Sequence, residues 1–166
     1  MSVYVIAEAG VNHNGSLDMA LRLVDAAAEA GADAVKFQTF TADNLVRKSA
    51  PKAEYQLQTT GASESQYEML RRLELPRVAH KALLERCSAR MIDFLSTPFD
   101  EASLDFLTDE LGLKTVKLGS GEVTNGPLLL RVARKGVDII MSTGMSTLGE
   151  VETALSCLAF GYIGND

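Results

Sequence analysis

Lys117-Leu-Gly-Ser-Gly-Glu-Val-Thr-Asn125 joins two segments of opposite character. Upstream, Lys114-Thr-Val-Lys-Leu118 alternates weakly and reads as a short strand; downstream, Pro127-Leu-Leu-Leu-Arg-Val-Ala-Arg-Lys135 reads as a helix closed by Gly136. The stretch between is a strand-to-helix turn carrying a cation, a hydroxyl, a carboxylate and two glycines. Glycine lets the backbone approach a ligand closely, and amides at the start of the following helix favour an anion. Lys117 supplies a point charge and Ser120 a directional donor, so the turn reads as a phosphate or carboxylate site. Gly-Ser-Gly is also an ordinary connection, and what sets this one apart is that its pattern repeats along the chain.

On the downstream side, Asp138-Ile-Ile-Met141 is a strand, Ser142-Thr-Gly-Met-Ser146 follows, and Thr147-Leu-Gly-Glu150 is a capping box opening a helix with Val151, Ala154, Leu155 and Leu158. On the upstream side, Met91-Ile-Asp-Phe-Leu95 reads as a strand finished by Ser96-Thr-Pro-Phe-Asp100, and Asp100 caps a helix bearing Leu104, Leu107 and Leu111 that stops at Gly112. Phe94-Leu-Ser-Thr-Pro98 and Ile140-Met-Ser-Thr-Gly144 are echoes of each other. Nearer the start, Val3-Tyr-Val-Ile-Ala7 reads as a buried parallel strand ended by Glu8, followed by the turn Ala9-Gly-Val-Asn-His-Asn-Gly15. Ser16 then caps a helix with Leu17, Ala20, Leu21, Val24, Ala27 and Ala28 on one face, stopped by Gly31. Ala34-Val-Lys-Phe-Gln-Thr39 is the second strand. Residues 40 to 62 have no steady period and read as a lid or binding loop. Ser63-Glu-Ser-Gln66 reads as a capping box for a helix with Tyr67, Leu70 and Leu73 on one face, and Pro76 opens a helix running to about Arg90.

The order is β then α, five times, which implies a parallel sheet with right-handed crossovers. Glu8, Lys36, Gln38, Thr97, Lys117, Ser120, Glu122 and Ser142 all fall at the carboxyl ends of strands, where parallel α/β folds build their sites. No Gly-x-Gly-x-x-Gly or phosphate-loop motif follows the first strand, which favours an α/β fold of the (β/α)8 TIM-barrel type over a nucleotide-binding sheet. A complete barrel takes about 250 residues. The 166 residues here supply the first five βα units.

The composition sets bounds. With 46% hydrophobic and 23% charged residues the chain reads as one globular domain. The net charge of -6 argues against nucleic acid or an anionic membrane as partner, and no run approaches the roughly 20 apolar residues of a membrane span. The start shows no basic n-region or cleavage site, so the expected location is the cytoplasm. Cys87 and Cys157 sit in helical patterns and read as reduced, buried thiols outside the site.

Ile6-Ala-Glu-Ala-Gly-Val-Asn-His-Asn-Gly15, Val35-Lys-Phe-Gln-Thr39, Phe94-Leu-Ser-Thr-Pro-Phe-Asp100, Lys117-Leu-Gly-Ser-Gly-Glu122 with Thr124-Asn125, and Ser142-Thr-Gly-Met145 together resemble the sialic acid synthases: the N-acetylneuraminate synthases and their legionaminate and pseudaminate relatives. The resemblance runs in unbroken motif order from residue 3 to the end. It implies a TIM barrel that condenses phosphoenolpyruvate with an N-acetylated amino sugar such as N-acetylmannosamine, using water and a divalent metal, usually manganese (Mn2+), and releasing phosphate. By motif, Lys36 and Lys117 neutralise the phosphate and carboxylate of phosphoenolpyruvate, with Thr97, Ser120 and Ser142 as hydroxyl donors and Gln38 holding the sugar. Charge neutralisation is what such a step needs, because the substrate is a multiple anion and the attacked aldehyde gains oxyanion character. Glu8 and Glu122 are the carboxylates available to move protons, with the division between them open. A salt bridge to Lys36 or Lys117 is the other reading of either one. His13 reads equally as a substrate contact or as a partner for loop backbone groups, and His80 as a solvent or packing residue.

The resemblance also implies two metal-binding histidines on the sixth and seventh strands and a C-terminal antifreeze-like domain that caps the partner's barrel in a homodimer. Nothing within these 166 residues matches them, so the expectation is a portion of one barrel domain with no metal ligand of its own and little activity alone. Competing readings are another phosphoenolpyruvate-dependent 3-deoxy sugar acid synthase, a Schiff-base aldolase using Lys117, or a non-catalytic half-barrel that only binds a ligand.

Overall fold

The computed structural model describes residues 3–48 and 65–164. They fall into two compact units, Met1–Phe94 and Leu95–Asp166. Strands β1 (Ile6–Gly10), β2 (Ala34–Thr39) and β3 (Asp93–Pro98) form one sheet in the order β1-β2-β3, and β4 (Thr115–Leu118) pairs with β5 (Asp138–Met141) in a second. Both described ladders, β1 with β2 and β4 with β5, are parallel, as the alternation of elements requires.

In the first unit, helix α1 (Leu17–Glu29) begins at Ser16, whose hydroxyl accepts from the Met19 amide, and buries Ala20, Val24 and Ala27. Leu17, expected on the inner face, is exposed because it lies in the first turn. A four-residue helix α2 (Ala42–Leu45) opens the aperiodic region, most of which lies outside the described residues. Helix α3 (Gln66–Leu73) starts at Ser65 rather than Ser63: Ser65 Oγ accepts from the Glu68 amide and the Glu68 carboxylate accepts from the Ser65 amide. An ionised Glu at the third helical position suits the positive helix start better than the Gln66 of the expected box. The fully buried residue of α3 is Met69, while Tyr67, Leu70 and Leu73 are half-buried. Helix α4 (Arg77–Arg90) follows Pro76 as expected and packs on α1, with Arg86 and Arg90 both paired to Asp25.

Three strands depart from the sequence reading: β4 starts one residue late, at Thr115 rather than Lys114, and β1 and β3 shift toward the C-terminus at both ends. β1 starts at Ile6 rather than Val3, because its partner begins at Ala34; the Val5 carbonyl accepts from Asp33 and Ala34, and the ladder runs on through Glu8 to Gly10. β3 starts at Asp93 rather than Met91, because Met91 closes α4 in the left-handed region at φ 57° with its side chain 91% exposed, and the Ile92 amide donates back to Cys87. By contrast β2 and β5 occupy the residues read from sequence.

In the second unit, Asp100 caps helix α5 (Glu101–Asp105), accepting from the Ser103 amide, and the helix widens into a π-helical turn at Phe106–Glu110. Helix α6 (Gly126–Arg134) starts at Asn125 and helix α7 (Leu148–Ile163) at Thr147, the latter with the expected reciprocal box to Glu150. Val116 and Leu118 of β4 form the core with Leu128, Leu129 and Val132 of α6 and Ala154 and Leu158 of α7.

Candidate active site

β2 has two faces of different character because its side chains alternate. Lys36 and Gln38 share one face; Val35, Phe37 and Thr39 share the other. On the first face, Glu8 lies opposite Lys36 in the ladder and its carboxylate meets the Lys36 ammonium at 2.7 Å. Lys36 is 7% exposed whereas the Glu8 side chain is 57% exposed, so the cation is fixed deep and the carboxylate reaches out to solvent. The salt-bridge reading of Glu8 therefore holds in this structure. It leaves proton transfer open to Glu8, because an ionised, partly solvated carboxylate is a competent base.

Gly10 completes this cluster, and sequence reasoning missed it. Its φ of 53° is left-handed, the ladder is irregular between Glu8 and Gly10, and an added Cβ would stand 3.2 Å from Glu8 Oε1 and 3.8 Å from Gln38 Nε2. Glu8, Lys36 and Gln38 thus converge around one glycine. The available signal was the glycine two residues after a strand-end carboxylate.

The opposite face of β2 is packing. Phe37 is fully buried, stacks on Phe94 with ring centroids 5.8 Å apart, and lies 6.1 Å from the His13 ring. His13 Nδ1 accepts from the Gly15 amide at 3.0 Å, which places the ring proton on Nε2, and Nε2 has no partner among the described residues. Of its two readings, the backbone-supporting role is the one the structure gives. His80 is buried, not solvent-facing. Its Nδ1 donates to the Pro76 carbonyl, so Nε2 accepts from the Thr39 hydroxyl at 2.9 Å. Burial lowers the pKa of both rings below the usual histidine value, and for His13 the neighbouring His80 adds to the shift.

In the second unit, Lys117 and Ser142 stand at the carboxyl ends of adjacent β4 and β5, tied by the Ser142 amide donating to the Leu118 carbonyl at 3.1 Å. Lys117 is half-buried. Ser120-Gly-Glu122 is a single 3-10 turn with Ser120 and Glu122 half-buried. Glu122 accepts from Asn125 Nδ2 at 2.7 Å, while Asn125 Oδ1 accepts from the Leu128 amide and so caps α6. Asn125 is a supporting residue that an N-cap reading alone would have marked. Thr97 is buried near the end of β3. Cys87 is buried, with burial pushing its thiol up to about 12, and Cys157 is half-buried; both are free and neither belongs to the site.

A family model described as the NeuB family matches residues 23–163. The chain belongs to the NeuB family. It is 53% identical over 154 residues to the N,N'-diacetyllegionaminic acid synthase of Campylobacter jejuni, covering 93% of this chain and 46% of that protein. It is 52% identical over 165 residues to the synthase of the same description from Legionella pneumophila, covering 99% of this chain and 46% of that one. The crystal structure of N-acetylneuraminic acid (sialic acid) synthetase from Leptospira borgpetersenii, in complex with citrate, superposes with a TM-score of 0.81 at 32% identity, covering 98% of this chain and 52% of that chain. This NeuB chain thus spans about half the length of the relatives it matches. Its fold class is the one read from the sequence: α/β, the TIM barrel of the sialic acid synthases, represented by its first five βα units. No helix among the described residues is long and apolar enough to cross a membrane.

Proposed function

We propose that this chain carries part of the active site of a phosphoenolpyruvate-dependent synthase of sialic-acid-type sugars. The supporting observation is the cluster around Gly10, where a buried ammonium, a carboxylate and an amide meet at the end of two parallel strands in a chain 53% identical to a legionaminic acid synthase. The product named for that relative carries two N-acetyl groups, so the acceptor here is an open-chain sugar aldehyde bearing two acetamido groups.

In the reaction, C3 of phosphoenolpyruvate bonds to the aldehyde carbon, water adds at C2, and the bond between C2 and the phosphate oxygen breaks to release phosphate. Lys36 and Lys117 neutralise the anionic groups of phosphoenolpyruvate. Thr97, Ser120 and Ser142 donate hydrogen bonds to its oxygens, and Gln38 holds the sugar. Glu8 and Glu122 carry the protons, one toward the aldehyde oxygen and one from the attacking water. Asn125 keeps the Glu122 carboxylate in one orientation. A divalent metal bound in such a site supplies Lewis acidity toward the aldehyde. Among the described residues no group of three or more His, Cys, Asp or Glu is placed to hold one, so no residue of this chain is assigned to it.

The test joins this chain to the portion of the Campylobacter synthase beyond the matched region and measures phosphate release from phosphoenolpyruvate with a diacetamido sugar and manganese. The proposal expects release that needs the sugar and is lost in Lys36→Met. A covalent adduct at Lys117 after borohydride with pyruvate supports the aldolase instead, and no activity with any acceptor supports a binding module.

A further inference from the structure

Asn-Gly occurs twice in the chain, at Asn14–Gly15 in the turn between β1 and α1 and at Asn125–Gly126 at the start of α6. The pair has a chemistry of its own. The glycine nitrogen attacks the asparagine side-chain carbonyl carbon, a C–N bond forms, the backbone amide proton is lost, and the side-chain nitrogen leaves as ammonia. Water then opens the resulting succinimide at either carbonyl, giving an aspartyl or an isoaspartyl link. Glycine favours the step because no Cβ obstructs the ring. Two conditions govern it: the nitrogen must swing to the side of the Cα–C bond that faces the Cβ, and it must give its proton to a base.

The fold refuses both conditions at the first pair. Asn14 is exposed with φ 50°, in the left-handed region, where the following nitrogen is turned away from the Cβ. Rotation out of that region is opposed from both sides. The Asn14 amide donates to the Val11 carbonyl at 3.0 Å and the Ser16 amide to the His13 carbonyl at 2.9 Å. Gly15 lies so close to the end of α3 that an added Cβ would collide with the Arg72 carbonyl oxygen. The proton is held as well, because the Gly15 amide donates to His13 Nδ1 at 3.0 Å. That ring stands where a base is needed and is a poor one. It is 1% exposed, its own proton sits on Nε2 with no partner among the described residues, and a second proton would create a buried imidazolium near His80.

We propose that Asn14–Gly15 is a latent succinimide site that His13 holds closed, and that opening of the His13–Gly15 hydrogen bond is the event that commits Asn14 to deamidation. Conversion adds a negative charge to the turn that follows Glu8 and Gly10, and the isoaspartyl product also lengthens the main chain there by one carbon. Asn125 is restrained by other means: its side chain accepts from the Leu128 amide and donates to Glu122, which makes it an internal reference. The lock belongs to the first unit and does not depend on the reaction proposed above.

The test incubates the hybrid of this chain with the Campylobacter portion in mildly alkaline buffer and follows aspartyl and isoaspartyl formation at residues 14 and 125 by peptide mapping. The urea-unfolded protein is the reference. Asn14 should convert at least tenfold more slowly in the folded protein, a suppression at least as large as the hydrogen-exchange protection of the Gly15 amide; this arm needs no variant to fold. His13→Phe keeps a ring packed on Phe37 and removes the acceptor, so it should speed conversion of Asn14 at least threefold and leave Asn125 unchanged. Conversion of Asn14 as fast in the folded protein as in urea, which is what a histidine acting as base would give, overturns the proposal. So does a His13→Phe protein that converts Asn14 at the original rate or accelerates Asn125 equally, and so does a freely exchanging Gly15 amide beside an intact Asn14.

Discussion

Val35-Lys36-Phe37 in β2 and Val116-Lys117-Leu118 in β4 are nearly the same tripeptide in nearly the same local role, yet their lysines live differently. In both, the flanking apolar residues are fully buried. Lys36, in the middle strand of its sheet, is buried and ion-paired to Glu8 across the ladder; Lys117, in a two-stranded sheet, is half-buried and followed by a glycine-flanked 3-10 turn. Alternation decides which side chains enter the core, whereas the place of the strand in its sheet decides how deeply the polar ones are held. One lysine is thus held beside a carboxylate, and the other stands half-buried at a strand end that leads into a glycine-flanked turn.

The largest effects come from breaking the apolar half of each tripeptide. Phe37→Ala removes a ring stacked on Phe94 and packed on His13, and should cost about 3–5 kcal/mol, against about 2–5 for Leu118→Ala. Urea unfolding followed by probes in each unit checks both, and the comparison breaks if Phe37→Ala is the cheaper by more than the error. Next comes the cation itself. In the active hybrid, Lys36→Met and Lys117→Met should each lower kcat/KM on the order of 10²–10³-fold. Lys36→Met should also shift the urea midpoint, because it removes the buried partner of the Glu8 carboxylate.

The glycines sharpen the contrast. Gly10→Ala should cost about 1–2 kcal/mol, from the left-handed φ and the pressure on Glu8, while Gly119→Ala, with φ -71° and nothing within 4 Å of an added Cβ, should change stability by no more than about 0.5 kcal/mol. Melting temperatures decide it.

The smallest effect is one of pH. Both histidines of the chain, His13 and His80, lie in the first unit, buried and with folded-state pKa values below 6.5. Unfolded histidines bind protons that the folded ones refuse. Their contribution to stability is therefore complete above pH 6.5 and is lost as pH falls toward their folded values. In the second unit the corresponding loss begins lower, below 4.5 for Glu150, held down by the Thr147 amide, and below 3.8 for Asp105, held down by Arg131 and Lys135. Hydrogen exchange at pH 5 and pH 7 should show the first unit loosening while the second does not, and His80→Gln should flatten that dependence.

How far the sequence carried this picture follows from the same contrast. β2 and β5 were legible to the residue because turn formers and helix stops bracket them, and the Thr147–Glu150 box because its partners are three residues apart. The starts of β1 and β3 are not legible locally because they depend on distant events: where Asp33 meets Val5, and where α4 uses Met91 and Ile92 for its own closure. The candidate site residues are legible only as strand-end polar groups. The Gly10 cluster and the burial of His80 against Thr39 could not be read, since each depends on register or on contacts across elements, whereas the Asn125 support of Glu122 is local and within reach of an N-cap reading.

The proposed function assigns both Lys36 and Lys117 to the anionic groups of phosphoenolpyruvate. Reductive methylation of the active hybrid, read by mass spectrometry with and without phosphoenolpyruvate, tests it. Phosphoenolpyruvate should slow modification at both Lys36 and Lys117 and leave the exposed Lys81 unchanged; equal rates at all three positions, or protection of one lysine without the other, would contradict the account.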